Sequence, residues 1–183
     1  MKHLFKSFYA LIFVCLSLSS CSENQKIKKT MTEFMKTEVV LPDSLECIYS
    51  GEISMISKET LKSNKYIIYY DSNDCSSCRI ARLIELSPLY DIADSSDISV
   101  VTLFAPKQDD IKNVRLQLQI SDLAFPVYLD VENSFKDSNP DLPSDIRFHS
   151  FMINSDGYPI LVGNPVYSEQ INKLFKVTLN KFN

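Results

Sequence analysis

The run Lys65–Tyr70 (KYIIYY) leads directly into Asp71-Ser72-Asn73-Asp74 and then Cys75-Ser76-Ser77-Cys78. This order constrains the fold more than any other part of the chain. A β-branched and aromatic run of that length predicts a buried strand. Asp, Ser and Asn after it are turn formers and helix caps. The segment RIARLIEL that follows places Ile80, Leu83 and Ile84 on one helical face, with Pro88 near that helix's end or at a kink in it. The two cysteines are therefore expected at a strand-to-helix junction, where backbone N–H groups and the helix dipole favour a thiolate.

Further along, Ile98–Phe104 reads as a strand, Asp109–Ile120 as a helix and Phe125–Asp130 (FPVYLD) as a third strand. The polar stretch Asn133–Asp145, with Pro140 and Pro143, reads as a loop. Arg147–Ile153 and Tyr158–Val162 form a hairpin around the turn Asn154-Ser155-Asp156-Gly157. Ser168 caps a last helix whose Ile171, Leu174, Phe175 and Leu179 share a face. Upstream, Ile27, Met31, Phe34 and Met35 fit a short amphipathic helix, and Glu38–Leu41 and Glu46–Tyr49 read as two short strands separated by Pro42, Asp43 and Ser44. Alternating strands and helices followed by a hairpin and a helix predict an α/β fold: a mixed sheet with helices on both faces.

At this point the chain resembles the thioredoxin superfamily, and within it the TlpA-type or redoxin-like membrane-attached proteins. The matching pieces are KYIIYY before CSSC, the strand SVVTLF, FPVYLD for the family's FPV-type strand, and FMINSDGYPILVG for its FLID-x-DG hairpin. The likeness spans roughly Lys65 to Phe182 and implies a thioredoxin-like domain over 65–183, with residues 31–64 as an N-terminal extension of one helix and short strands packed on it. The dipeptide between the cysteines is Ser-Ser, without the proline common in thioredoxins. Ile67–Tyr70 lacks the acid that those proteins bury in this strand. Family members also carry a cis-proline about eight or nine residues before the hairpin glycine. Counting back from Gly157 gives His149 or Phe148 instead.

A thiol–disulfide exchanger needs one thiolate to attack a disulfide and a second thiol to resolve the mixed intermediate. CSSC offers both, with Cys75 as the more exposed nucleophile and Cys78 as the resolving thiol one turn into the helix. Arg79 adds positive potential or is merely solvated, and Asp74 opposes the thiolate unless it caps the helix and points away. His149 falls near the pair by the same alignment. It acts there as a general base or electrostatic tuner, or it is a histidine at a strand start bonded to backbone. Three other readings stay open. The pair closes a static disulfide; the protein is a redox-inactive partner-binding module; or, with His149, it is a copper chaperone like the Sco-type proteins, although those use CxxxC. Structural zinc would need a second ligand pair, and Cys47, read as a buried small hydrophobe, is far upstream.

The N-terminus carries an address. Lys2 and Lys6 precede an apolar run from Phe8 to Leu18 and then Leu18-Ser19-Ser20-Cys21, the layout of a secretory signal over residues 1–20. The run is too short for the roughly 20 residues of a membrane-crossing helix. Leu-Ser-Ser-Cys resembles a bacterial lipobox, which implies lipidation of Cys21, a polar tether over 21–30 and an extracytoplasmic, periplasm-facing protein held to a bacterial membrane. Loss of residues 1–20 leaves 17 basic against 23 acidic residues, a net charge of −6. With no basic block, nucleic-acid binding is excluded. Gly51, Gly157 and Gly163 are the only glycines, and none stand at Walker A or GxGxxG spacing. His149 is the sole histidine beyond the signal, which removes HExxH zinc chemistry. The expected partners are therefore protein thiols or disulfides, with no cofactor and no metal.

Overall fold

The computed structural model describes residues 23–181. Within it lies one seven-stranded mixed sheet of order β2-β1-β5-β4-β3-β6-β7. The strands are β1 (Ser44–Tyr49), β2 (Glu52–Ser57), β3 (Asn64–Tyr70), β4 (Ile98–Phe104), β5 (Val127–Leu129), β6 (Ser150–Ile153) and β7 (Pro159–Val162). The helices are α1 over residues 23–34, α2 (Ser76–Ile80), α3 (Ser87–Asp94), α4 (Ile111–Ile120), α5 (Ser134–Ser138) and α6 (Glu169–Leu179). β3, β4 and β5 run parallel to one another, while β6 is antiparallel to β3 and β1 is antiparallel to β5.

β3 lies inside the sheet between β4 and β6 and is covered on both faces, which is why residues 66–70 are an unbroken apolar run rather than an alternation. Tyr66 and Ile68 point into a core shared with α2, α3, α4 and α6, where the Tyr66 ring meets Phe175 edge-on at 5.4 Å. Ile67 and Tyr69 point into the opposite core with Phe34 of α1 and Phe135 of α5. Cys47 of β1 lies in that second core as a free, buried thiol, and burial pushes its pKa up. A raised pKa keeps the sulfur protonated at neutral pH, so Cys47 is expected to alkylate at least about 100-fold more slowly than an exposed thiol until the protein unfolds. Mass spectrometry of iodoacetamide-treated native protein checks this.

Several elements depart from the pattern read in the sequence. Residues 38–41 are not a strand. Val39 N–H donates to Gly157 O (2.9 Å), and the Val40 backbone is held on both sides by the Asn139 side chain, at 2.8 Å each way. Gly157 has φ +84°, and a Cβ there would stand 3.0 Å from Val39 O, so the close approach requires glycine. The second N-terminal strand is instead β2, paired with β1 around Ser50-Gly51, both with positive φ as in a two-residue hairpin turn. Residues 23–30, read as a polar tether, are the first turns of α1. The loop over Asn133–Asp145 contains α5. Within α6, Phe175 and Leu179 are buried while Leu174 is 52% exposed.

The segment after the cysteines is not one helix. α2 ends at Ile80, a 3-10 turn spans Leu83–Leu86, and α3 begins at Ser87 with Pro88 in its first turn. A continuous helix would need an N–H at residue 88 for the Ile84 carbonyl, and proline has none. Ser87 takes that carbonyl with its backbone N–H and its Oγ (2.8 Å). Ile84 is consequently 64% exposed, whereas Ile80 and Leu83 are buried. The signal segment and Cys21 lie outside the described residues.

Candidate active site

The site is built from the C-terminal end of β3. Asp71, buried directly after the strand, accepts the Asn73 backbone N–H on Oδ1 (2.8 Å) and the Asn73 side-chain amide on Oδ2 (3.3 Å). Its own carbonyl accepts from Asp74 N–H (3.0 Å), and Lys136 of α5 stands 3.6 Å from Oδ2. These bonds fix the turn that delivers the chain to Cys75. The sequence marked Asp71 only as a turn former; its burial beside the motif was not visible there.

Cys75 and Cys78 form a disulfide with their Cα atoms 5.3 Å apart. Cys75 is the N-cap of α2, and its Sγ accepts a hydrogen bond from the Cys78 N–H at 3.3 Å. Cys78 lies inside the helix, yet both residues are exposed, so exposure does not distinguish them as the sequence suggested. The hydrogen bond does. A donor already aimed at one sulfur stabilises negative charge on that sulfur once the bond is reduced.

Asp74 does not cap the helix. Its side chain is nearly buried, and Oδ1 accepts from Arg79 Nη2 (2.8 Å) and Nε (3.2 Å). The Arg79 guanidinium also sits 5.3 Å from the centre of the Tyr70 ring. Arg79 therefore offsets the charge that would otherwise oppose a thiolate at Cys75. Burial, and next the neighbouring Tyr167, push the Tyr70 hydroxyl up to about 12, so this wall of the site is neutral at physiological pH. Arg79→Ala leaves a nearly buried carboxylate unpaired beside Cys75. Because a third of the Arg79 side chain is exposed, the expected stability loss is about 1–2 kcal/mol rather than the full cost of breaking a buried pair. The Cys75 thiol pKa rises, and alkylation of the reduced protein at neutral pH slows roughly three- to tenfold. A pH series of alkylation rates measures both the direction and the size.

Beside the disulfide lies a cleft of ≈ 340 Å³ lined by Tyr70, Asp74, Arg79, Arg147, His149 and Tyr167, among others. His149, reached by counting back from the hairpin glycine, is thus brought to the flank of the motif. Its ring makes no hydrogen bond to either sulfur. Nε2 donates to the Pro143 carbonyl (2.8 Å), Nδ1 is buried without a partner, and the ring packs 5.3 Å from that of Tyr69. No cis peptide bond occurs among the described residues. Nor, among them, does any group of three or more His, Cys, Asp and Glu side chains stand ready to hold a metal ion. Tyr167 and Asn164 come to the cleft from the segment before α6. Only the tertiary fold reveals them, since nothing in their local sequence marks a site.

No family model and no curated protein matches the chain. Among solved structures it is similar to the reduced 2-Cys peroxiredoxin of Plasmodium vivax, with a TM-score of 0.51 at 12% identity over 81% of this chain and 98% of that one. It is also similar to the thioredoxin domain of a thiol-disulfide oxidoreductase from Bacteroides vulgatus (TM-score 0.48, 11% identity, 78% of this chain and 98% of that chain). A third similarity is to Mycobacterium tuberculosis AhpC (TM-score 0.47, 13% identity, 74% and 92%). The sheet order and the first of these likenesses define a thioredoxin-like fold. At such identities the likeness speaks to fold alone. In this chain a Cys75–Cys78 disulfide stands just after the C-terminal end of β3.

Proposed function

We propose that this protein exchanges dithiol and disulfide with protein partners outside the cytoplasm, held to a bacterial membrane by lipid on Cys21, with Cys75 as nucleophile and Cys78 as resolving thiol. The observation that carries the reading is an exposed disulfide in which the Cys75 sulfur already receives the Cys78 N–H. In the reduced protein the Cys75 thiolate attacks one sulfur of a partner disulfide. A bond forms between them as the partner's S–S bond breaks, and the partner's other sulfur leaves as a thiolate and takes up a proton. Cys78 then loses its proton and attacks Cys75 Sγ, closing the Cys75–Cys78 bond and expelling the partner's first sulfur. Two electrons pass to the partner, which is reduced, and the reverse sequence oxidises a dithiol.

Asp71 and the Asp74–Arg79 pair position and electrostatically balance the motif, and the cleft beside it receives the partner's polypeptide. Titration of the soluble domain against glutathione redox buffers tests the proposal. A reversible two-electron transition that vanishes in Cys75→Ser is expected. A disulfide that resists reduction until the protein unfolds would overturn it and leave a static cross-link.

A further inference from the structure

We infer that the exchange site faces the bilayer, so that its partner is a membrane-bound protein whose cysteines lie at headgroup level. This rests on the lipidation of Cys21 proposed above and goes beyond it by fixing which end of the domain the lipid holds. β6 is antiparallel to β3, with Ser150 paired to Ile68 and Ile153 to Lys65, so the start of β6 lies at the same end of the sheet as Cys75. α1 lies alongside β6. Phe34 meets Phe151 edge-on at 5.0 Å, and eleven residues earlier Glu23 reaches Arg147, Oε1 to Nη1 3.7 Å.

The first residue of α1 is therefore at the site end of the sheet, against the residues that precede β6. Arg147 stands between two clefts, one shared with Glu23, Lys26, Ile27 and Thr30 of α1, the other shared with Asp74, Arg79 and His149. Cys21 is two residues before Glu23, and two residues of chain reach at most about 7 Å. An acyl anchor there holds the disulfide end of the domain to the membrane rather than the opposite end, where the turn Asn154–Gly157 lies.

Charge supports the same orientation. In a chain that is acidic overall, Lys26, Lys28 and Lys29 are exposed in the first two turns of α1, next to the proposed anchor, where they complement anionic headgroups. At the cleft, Ile146 and Tyr167 are about half exposed, an apolar rim suited to a partner emerging from the interface.

The test uses the full lipidated chain in vesicles of phosphatidylethanolamine and phosphatidylglycerol containing a lipid with a maleimide headgroup. Cys75 is presented alone by Cys78→Ser, and the far end by Ser155→Cys with Cys75→Ser and Cys78→Ser. Each rate is normalised to that with soluble N-ethylmaleimide. The expected result is headgroup labelling of Cys75 at least about tenfold faster than of the far-end thiol, an advantage erased by a Gly/Ser linker of about 20 residues inserted before Glu23, whose mean span is about 25 Å. Equal or reversed labelling on chains that float with the vesicles overturns the orientation and leaves the anchor standing. Failure to float, or flotation unchanged in Cys21→Ser, overturns the lipidation and the orientation with it, while the glutathione titration still judges exchange on its own.

Discussion

Replacing Cys75 with serine is expected to lower disulfide exchange with a protein substrate by roughly three orders of magnitude or more, because a serine hydroxyl at neutral pH neither ionises nor attacks a disulfide. Replacing Cys78 has a different signature. Cys75 still attacks, but no second thiol resolves the product, so a mixed disulfide accumulates and persists until an external thiol releases it. The asymmetry follows from one contact: the Cys78 N–H points at Cys75 Sγ, at 3.3 Å, and stabilises charge on that sulfur. The backbone donor survives in Cys78→Ser, so the trapped species is expected to form at close to the wild-type rate. Non-reducing electrophoresis of the two variants with an oxidised substrate reads the result directly. Accumulation of the adduct in Cys75→Ser rather than in Cys78→Ser would assign the roles the other way round and would remove the hydrogen bond as the deciding feature.

The parts of the fold that the sequence made legible are those whose burial leaves an unambiguous pattern. β3 and β4 are covered on both faces and appear as predominantly apolar runs without strict alternation; β6 and β7 are marked by a turn whose Asn154 Oδ1 accepts from Asp156 and Tyr158 N–H groups. β2 left no such mark. It is an edge strand with almost every side chain in solvent, so its place is set by hydrogen bonds to β1 and not by hydrophobic periodicity. α5 is five residues long, too short for a period, and depends on an acceptor outside itself. The apolar spacing of Ile80, Leu83 and Ile84 predicted one helix, but the missing N–H of Pro88 outweighed it. At the site, the CxxC spacing named the two sulfurs that form the disulfide, and the count back from Gly157 led to His149, which lines the cleft but bonds to Pro143 O and to neither sulfur. The Asp74–Arg79 pair was not readable, because Asp74 precedes the helix and the usual i,i+3 and i,i+4 neighbour rules do not reach it.

Asp130 is the buried group on which the second large effect depends. It is 3% exposed at the end of β5 and accepts three hydrogen bonds, from Ser134 N–H (3.1 Å) and Oγ (2.9 Å) on Oδ1 and from Phe135 N–H (2.7 Å) on Oδ2. Asn133, the residue in the N-cap position of α5, has a left-handed backbone and makes no capping bond, so Asp130 takes over that role from outside the helix. α5 in turn carries Phe135 against the Tyr69 ring, at 4.8 Å, and is followed by Asn139, which holds Val40. Asp130→Ala strips these donors of their acceptor, the Phe135 N–H buried and the Ser134 groups partly so, at a cost of about 3 kcal/mol. For a chain of this size that corresponds to a fall in Tm of roughly 6–12 °C. Asp130→Asn retains one acceptor oxygen and is expected to lose about 1 kcal/mol. Phe135 packs on the face of the sheet opposite Ile80 of α2, so Cys75 alkylation in the folded, reduced variants should stay within about threefold of wild type. Thermal melts set beside alkylation rates separate the two effects. An alanine variant as stable as wild type would mean that α5 is held by Phe135 packing alone, and a large fall in reactivity would mean that α5 supports the cysteine loop through Lys136 and Asp71.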